Sequence, residues 1–494
     1  MKRTLSVAVI LGAFVIGSFL LLKDKTMNKQ IDVLKVKLGL RDQFPDPTEI
    51  DLVGDWYFFD HVSSGLVSFD HLTGKFEPQL AENWVSHESG VHTFTLRPDV
   101  KFHDGSVIRA TDVVATLKRQ LIKKTSTHFP LWEYIEGCEK LKSLSDDCSG
   151  LKAVSNTKIE IRLKAKADSF FLQLASPETG IWSEEDLLKS TEKFSPTKFS
   201  GAYSVASYDE NGARLIRNEF SPISIKFKNS PKEIQCIEYP SAETNQALMD
   251  GKIELLIRDN SPFNEPEWEK QGINVFKSAP TSIIYFQGLH HDGKKLMSKK
   301  FLQNLWGQDL KGEALIADSV LPFNKGYSLT KDDILSRYPD TGAKKVRLAV
   351  PWTYFSNRLL EMISAAGKES GTDIEIIRLD RDAWLDAVKS AEAYKNYDFI
   401  LVPYAASERY PAVQLRFLTE GYKKPTIDLK KAESPDLNAE KIEILKDYQK
   451  WLVENQHVVP LFFLRSQIFH SSKLDIGDQP PSDAEVELWR VTKK

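Results

Sequence analysis

Apolar positions along this chain change their spacing three times. From Thr4 to Leu22 no residue is charged, with Lys2-Arg3 ahead of the run and Lys23-Asp24-Lys25 closing it. Such a run in helical form spans roughly 28 Å at ~1.5 Å per residue, close to the hydrocarbon thickness of a bilayer. It predicts a signal-anchor or a cleaved signal peptide over residues 1–26. The direct passage into lysine, with no small-residue cleavage site, favours the anchor. Further on, Val91 to Arg97 alternates, with Phe94 and Leu96 on one face and Thr93 and Thr95 on the other, as a half-buried strand does. Asp104-Gly105 reads as a turn, and Thr111 as the cap of a helix on which Val113, Leu117 and Leu121 recur every fourth residue. A second helix is expected from Ser241 to Gly251, followed by a strand at Glu254–Ile257.

From about residue 275 the texture changes. Ile283–Phe286 reads as a strand and Ser298–Gly307 as a helix. Val346–Val350, Ile374–Ile377 and Asp398–Val402 read as strands separated by helices at Ser356–Lys368 and Asp382–Ala391. Strand-helix-strand-helix-strand predicts parallel neighbours joined by right-handed crossovers, hence an α/β fold. A last strand is expected at His457–Phe462.

The length of 494 residues predicts two to four domains. Charged residues make up 27% and apolar ones 41%, an ordinary soluble profile apart from the N-terminal run. A net charge of -3 offers no electrostatic footprint for nucleic acid. Three cysteines, Cys138, Cys148 and Cys236, are too few for a disulfide-built fold and lack zinc-site spacing. In an oxidising compartment Cys138 and Cys148 close a short loop between Gly137 and Gly150; two free thiols are the alternative. There is no G-x-S-x-G elbow, H-E-x-x-H, P-loop or dinucleotide-binding glycine set, so the reading is not an enzyme and has no cofactor or metal. His290-His291 are adjacent and point apart in any regular element.

The stretch from Trp84 to Arg119 is the most informative of the chain. Trp84, Phe94, Leu96, Arg97, Val100, Phe102, Asp104, Gly105, Ala110, Asp112, Val113 and Arg119 stand in register with a pattern that resembles the bacterial extracellular solute-binding proteins of family 5, the oligopeptide and dipeptide receptors of ABC importers. Asp46-Pro47, Leu80-Ala81-Glu82-Asn83-Trp84, Ser200–Val205, Leu215–Phe220 and Ala247–Glu254 follow in that family's order. The Trp84–Arg119 unit itself reads as scaffold.

The resemblance implies the large two-lobe periplasmic-binding-protein fold (cluster C type), with an inserted subdomain and here an N-terminal membrane segment. Lobe I is expected from residues 31–60, 195–272 and 466–494, the inserted subdomain from 61–194, and lobe II from 273–465. The implied function is an extracytoplasmic solute-binding component of an ABC importer, closing about a hinge on peptides or a similar small solute. The alternative is a membrane-anchored sensor or accessory protein of the same fold without a transport role. Expected partners are the solute, importer membrane subunits and the inner membrane through residues 4–22. The protein is expected to be a monomer in the periplasm.

Family receptors use a cleft aspartate against the peptide ammonium, which needs a carboxylate once stripped of water. The corresponding stretch here is Tyr404-Ala405-Ala406-Ser407-Glu408-Arg409-Tyr410-Pro411, with Ser407 in the aspartate's place. Tyr404, Ser407, Glu408 and Arg409 are therefore ligand-binding candidates. Trp352 and Tyr354 join them because they follow a lobe II strand, and Tyr57 because Trp56-Tyr57-Phe58-Phe59 would suit an apolar cleft wall.

Overall fold

A computed structural model of the chain describes residues 29–50, 52–70, 73–123, 134–164, 170–190, 193–258, 268–289, 294–308, 314–322, 326–351, 357–390, 392–405, 411–418, 425–433, 437–479 and 486–494. The expected membrane segment lies outside them. Among the described residues no helix is long and apolar enough to cross a membrane.

In chain order the strands are β1 (Val33–Lys37), β2 (Val67–Asp70), β3 (Lys75–Pro78), β4 (Ala81–Ser86), β5 (Val91–Leu96), β6 (Leu151–Ala153) and β7 (Lys158–Arg162). There follow β8 (Tyr203–Asp209), β9 (Gly212–Arg217), β10 (Glu233–Ile237), β11 (Leu255–Arg258), β12 (Ile273–Gly288) and β13 (Ala314–Ile316). Then come β14 (Lys345–Pro351), β15 (Asp373–Leu379), β16 (Phe399–Ala405) and β17 (Val458–Ser471), and last the short antiparallel pair β18 (Leu474–Asp475) and β19 (Thr492–Lys493). One mixed sheet takes the order β15-β14-β16-β12-β17-β11-β1-β10-β9-β8, with β13 beside β17. β14 pairs in parallel with both β15 and β16, as the alternating strand-helix pattern requires. β4-β5-β7-β6 form a separate four-stranded sheet.

β12 and β17 are the long members, 16 and 14 residues, and they pair antiparallel from Ile273↔Ser471 to Gln287↔Val458. Their register slips on either side of Pro280, between Lys277 and Ser282. Proline has no N–H for the ladder, and an unpaired residue bends a strand. Below the slip β17 pairs β11, and above it β12 pairs β16, so the two long strands run from one half of the sheet into the other.

Buried side chains form separate cores on the two sides. One spans Ile283 to Leu464 and includes Phe286, Phe301, Phe399 and Phe462. The other gathers Leu34, Phe58, Phe59, Trp182, Tyr203, Leu215 and Trp489. A third, with Phe94, Phe102, Val113, Ile159 and Phe170, belongs to the four-stranded sheet and its helix.

The Trp84–Arg119 stretch packs as scaffold. Phe94, Leu96, Val100, Phe102 and Val113 lie in the third core, and Trp84 stacks on Phe94. Gly105 closes its turn with φ +84°, a backbone angle glycine accepts readily. Thr111 does not cap the helix that follows: it begins at Ala110, and the Asp112 carboxylate reaches back to accept the Arg109 N–H at 2.7 Å and the Glu184 N–H at 2.8 Å. The Arg109 bond satisfies a donor at the start of this helix, and the Glu184 bond one at the start of the helix Glu184–Lys189. Arg119 holds Asp46 through two bonds of 2.7 and 2.5 Å and lies over the Phe194 ring. Burial pushes the Asp46 carboxyl up, but Arg119 and Thr48 outweigh it and leave the pKa below the ordinary value.

Cys138 and Cys148 are joined by a disulfide, and Cys236 is buried and free. Gly150 has the Glu136 carbonyl where a Cβ would stand, 2.2 Å away, so the loop closes only around glycine there.

His61 ties the C-terminus to the second core. Its Nε2 accepts the Leu488 N–H at 3.1 Å, so the proton sits on Nδ1 and is donated to the Tyr57 carbonyl at 2.7 Å. Burial holds its pKa down at about 4 from the model-compound 6.5, against a smaller upward pull from the Tyr57 carbonyl. The unfolded chain takes up this proton near pH 6.5 and the folded chain only near 4. Stability from this group is therefore complete above the unfolded value and is lost as pH falls between the two, on the order of 3 kcal/mol in all. Calorimetric scans from pH 7 to 4 are expected to show the melting temperature falling in that window. His61→Gln should begin lower and fall less steeply; an equal slope would mean His61 is not the group responsible.

Candidate functional site

Three elements meet where the cores face each other. The first is the helix Val53–Val62, which carries Trp56 and Tyr57. The second is the segment at Tyr134, whose carbonyl accepts the Lys164 N–H at 2.8 Å while Ile135 bridges Leu163. This backbone pairing fixes Tyr134 to the end of β7, four residues ahead of the disulfide. The third is the helix Pro411–Phe417, placed just beyond the end of β16. Proline suits its first turn, where an N–H has no partner anyway.

The Pro411 helix faces two ways. Gln414 points into its own half and accepts the Tyr404 hydroxyl through Oε1. Val413 and Arg416, three residues apart and so on one helix face, point across the gap. Val413, 3% exposed, packs against Trp56 and Leu172 from the other side. Arg416 pairs with Glu433 at 3.0 Å, the two side chains being only 13% and 7% exposed. Glu433 is set by the 3-10 turn Leu429–Ala432, which it terminates. The Tyr134 hydroxyl crosses the gap and donates to Glu433 Oε2 at 2.8 Å, with Arg416 Nη2 3.4 Å from the same hydroxyl oxygen.

Of the residues expected from the sequence, two are described. Tyr404 is the penultimate residue of β16, 8% exposed and in the first core. Desolvation pushes its phenol pKa up, so it stays a neutral donor. Tyr57 is 4% exposed on its helix, among the second core. Tyr404 thus belongs to the first core and Tyr57 to the second. Ser407, Glu408, Arg409, Trp352 and Tyr354 lie outside the described residues. Tyr134, Val413, Arg416 and Glu433 were not singled out from the sequence. The one available signal was the spacing of Val413 and Arg416 after Pro411, which suits a helix with one apolar and one charged contact on the same face. Among the described residues no group of three His, Cys, Asp or Glu side chains is placed to hold a metal.

Two cores on a common sheet, with a seam between them, make a two-lobed architecture. Residues 75–304 match the profile of the bacterial extracellular solute-binding proteins, family 5 middle segment. This segment of the chain is similar to that family. It is 26% identical over 226 residues to the periplasmic oligopeptide-binding protein OppA of Escherichia coli (strain K12), covering 42% of this chain and 40% of OppA. The alignment thus spans less than half the length of that relative.

Solved structures extend the likeness in fold to nearly the whole chain. The Escherichia coli murein tripeptide binding protein MppA superposes with a TM-score of 0.77 at 16% identity, over 95% of this chain and 99% of MppA. A periplasmic oligopeptide-binding protein of Borrelia burgdorferi, OppAIV, superposes with a TM-score of 0.76 at 18% identity, over 94% of this chain and 100% of its own.

Removing the Tyr404 hydroxyl leaves the Gln414 oxygen buried without that donor, a loss of roughly 1–2 kcal/mol. Tyr404→Phe should lower the urea midpoint accordingly with an unchanged slope. A midpoint equal to that of the parent would mean the hydroxyl serves the gap and not Gln414.

Proposed function

We propose that this chain is the extracytoplasmic solute-binding component of an ABC importer, and that it captures peptides or a similar small solute between two closing lobes. The observation that carries the reading is the pair of separate cores joined by β12 and β17, whose register slips at Pro280 on the way from one to the other. In this reading lobe I comprises residues 31–60, 195–272 and 466–494, the inserted subdomain 61–194, and lobe II 273–465. Closure about the slip traps the solute, and the closed form is the one presented to the importer. The named ligands of OppA and MppA, oligopeptides and a murein tripeptide, support peptides as the solute class. A periplasmic location follows from the same names and suits the Cys138–Cys148 disulfide.

A peptide brings an ammonium that needs a carboxylate. Ser407 stands where the family's aspartate is expected, and the proposal gives that role to Glu408 next to it.

Mass spectrometry of small molecules released from the purified protein by denaturation tests the reading. Peptides are expected. If nothing is released, and a synthetic pool of di- to pentapeptides leaves the melting temperature unchanged, the reading fails. For a peptide found in this way, Glu408→Ala should weaken binding more than about tenfold in calorimetry, the scale of one charge-assisted hydrogen bond. Unchanged affinity removes Glu408 from the site.

A further inference from the structure

We infer that Tyr134, Glu433 and Arg416 form a latch across the gap, which adds to closure a contribution independent of the solute. The inference rests on the bilobal reading above and assigns the residues that set its closed-to-open balance.

Arg416 and Glu433 belong to the same side. Their 3.0 Å contact is made whether or not the halves approach, and it leaves the carboxylate neutralised. Such a pair is not free to serve a solute's ammonium. It does carry a cost: closing the gap removes two charges from water, and that penalty offsets much of the attraction between them. The Tyr134 hydroxyl supplies what closure would otherwise take away. It replaces water as donor to Glu433 Oε2 at 2.8 Å, and its own oxygen faces Arg416 Nη2. A hydrogen bond to a charged group is among the stronger kinds.

The mounting suits this role. Tyr134 is pinned through the Lys164 N–H to its carbonyl and through the Ile135–Leu163 bridge, with the Cys138–Cys148 disulfide just beyond. Arg416 stands on the Pro411 helix, where Val413 makes the apolar half of the same contact with Trp56 and Leu172. Each partner is thus held on its own half, and the hydroxyl only has to meet the carboxylate when the halves come together. Little side-chain freedom remains to be lost at that moment.

Small-angle scattering on the full chain, stripped of co-purified solute by unfolding and refolding, tests the latch. Tyr134→Phe keeps the ring and removes only the donor, so folding should persist; its melting temperature is the control. The expected result is a drop of about tenfold in the ratio of compact to extended forms relative to the parent. Glu433→Gln should lower the same ratio, and adding it to Tyr134→Phe should change little further, since both delete one interaction. Scattering of Tyr134→Phe that superposes on the parent, in a parent that does compact with the peptide pool, overturns the latch and leaves the bilobal reading intact. A parent that keeps one shape with and without the pool overturns both.

Discussion

Everything in this molecule hangs on the ladder between β12 and β17. Backbone N–H and C=O groups buried between two cores must be paired, and a continuous antiparallel ladder pairs them while the chain passes from one half to the other. The ladder slips on either side of Pro280 and again between Ile284 and Tyr285. At Pro280 no N–H is available, and the partners step from Lys277↔Gln467 to Pro280↔Arg465 to Ser282↔Leu464. The constraint that joins the halves therefore also fixes where they bend. A single sheet without that slip would favour one rigid slab, and two unconnected sheets would leave the relative position of the halves undefined.

That bend gives meaning to the side chains at the seam. Where cores are continuous, apolar contacts suffice. Between halves that part, each group must be tolerable both wet and dry. Val413 against Trp56 is a small apolar contact of this kind. Arg416 and Glu433 satisfy each other in water and are met by Tyr134 when dry. A lone buried carboxylate at this position would instead strongly resist closure. The tyrosine hydroxyl is a suitable third partner because it stays neutral while donating to a charge.

Much of the fold was legible from pattern alone. The alternation at Val91–Arg97 is β5, the Ser356–Lys368 periodicity is the helix Asn357–Ser370, and the three strands around it are β14, β15 and β16 in the parallel order expected. These succeeded because burial repeats with the period of the element itself. The helix start at Ala110 was misread because Thr111 was taken as the cap, whereas Asp112 accepts the Arg109 N–H three residues back and places Thr111 inside the first turn. The seam was illegible for a different reason. Tyr134 and Glu433 are 299 positions apart, and neither sits in a periodic run. Cys138 and Cys148, by contrast, were open to two readings, and the flanking glycines permit the bridge that is observed without deciding for it.

The residues that identify the family stand away from the gap, and physical reasons account for this. Arg119 grips Asp46 with two parallel bonds, a geometry that only a planar fork and a carboxylate satisfy. Asp112 serves two backbone donors at once, and Gly105 takes a left-handed angle. Each of these jobs is set by the fold and is the same whatever solute is bound, so few residue types can perform it. At the gap the demands come from the solute and from the balance between open and closed, and different side chains meet them equally well. Tyr404, where the family pattern has tryptophan, is part of the first core and donates to Gln414, and a serine stands at 407 where that pattern has aspartate. In the proposed reading, the residues that match the family pattern and those that hold the solute are separate sets, joined through the sheet that carries both.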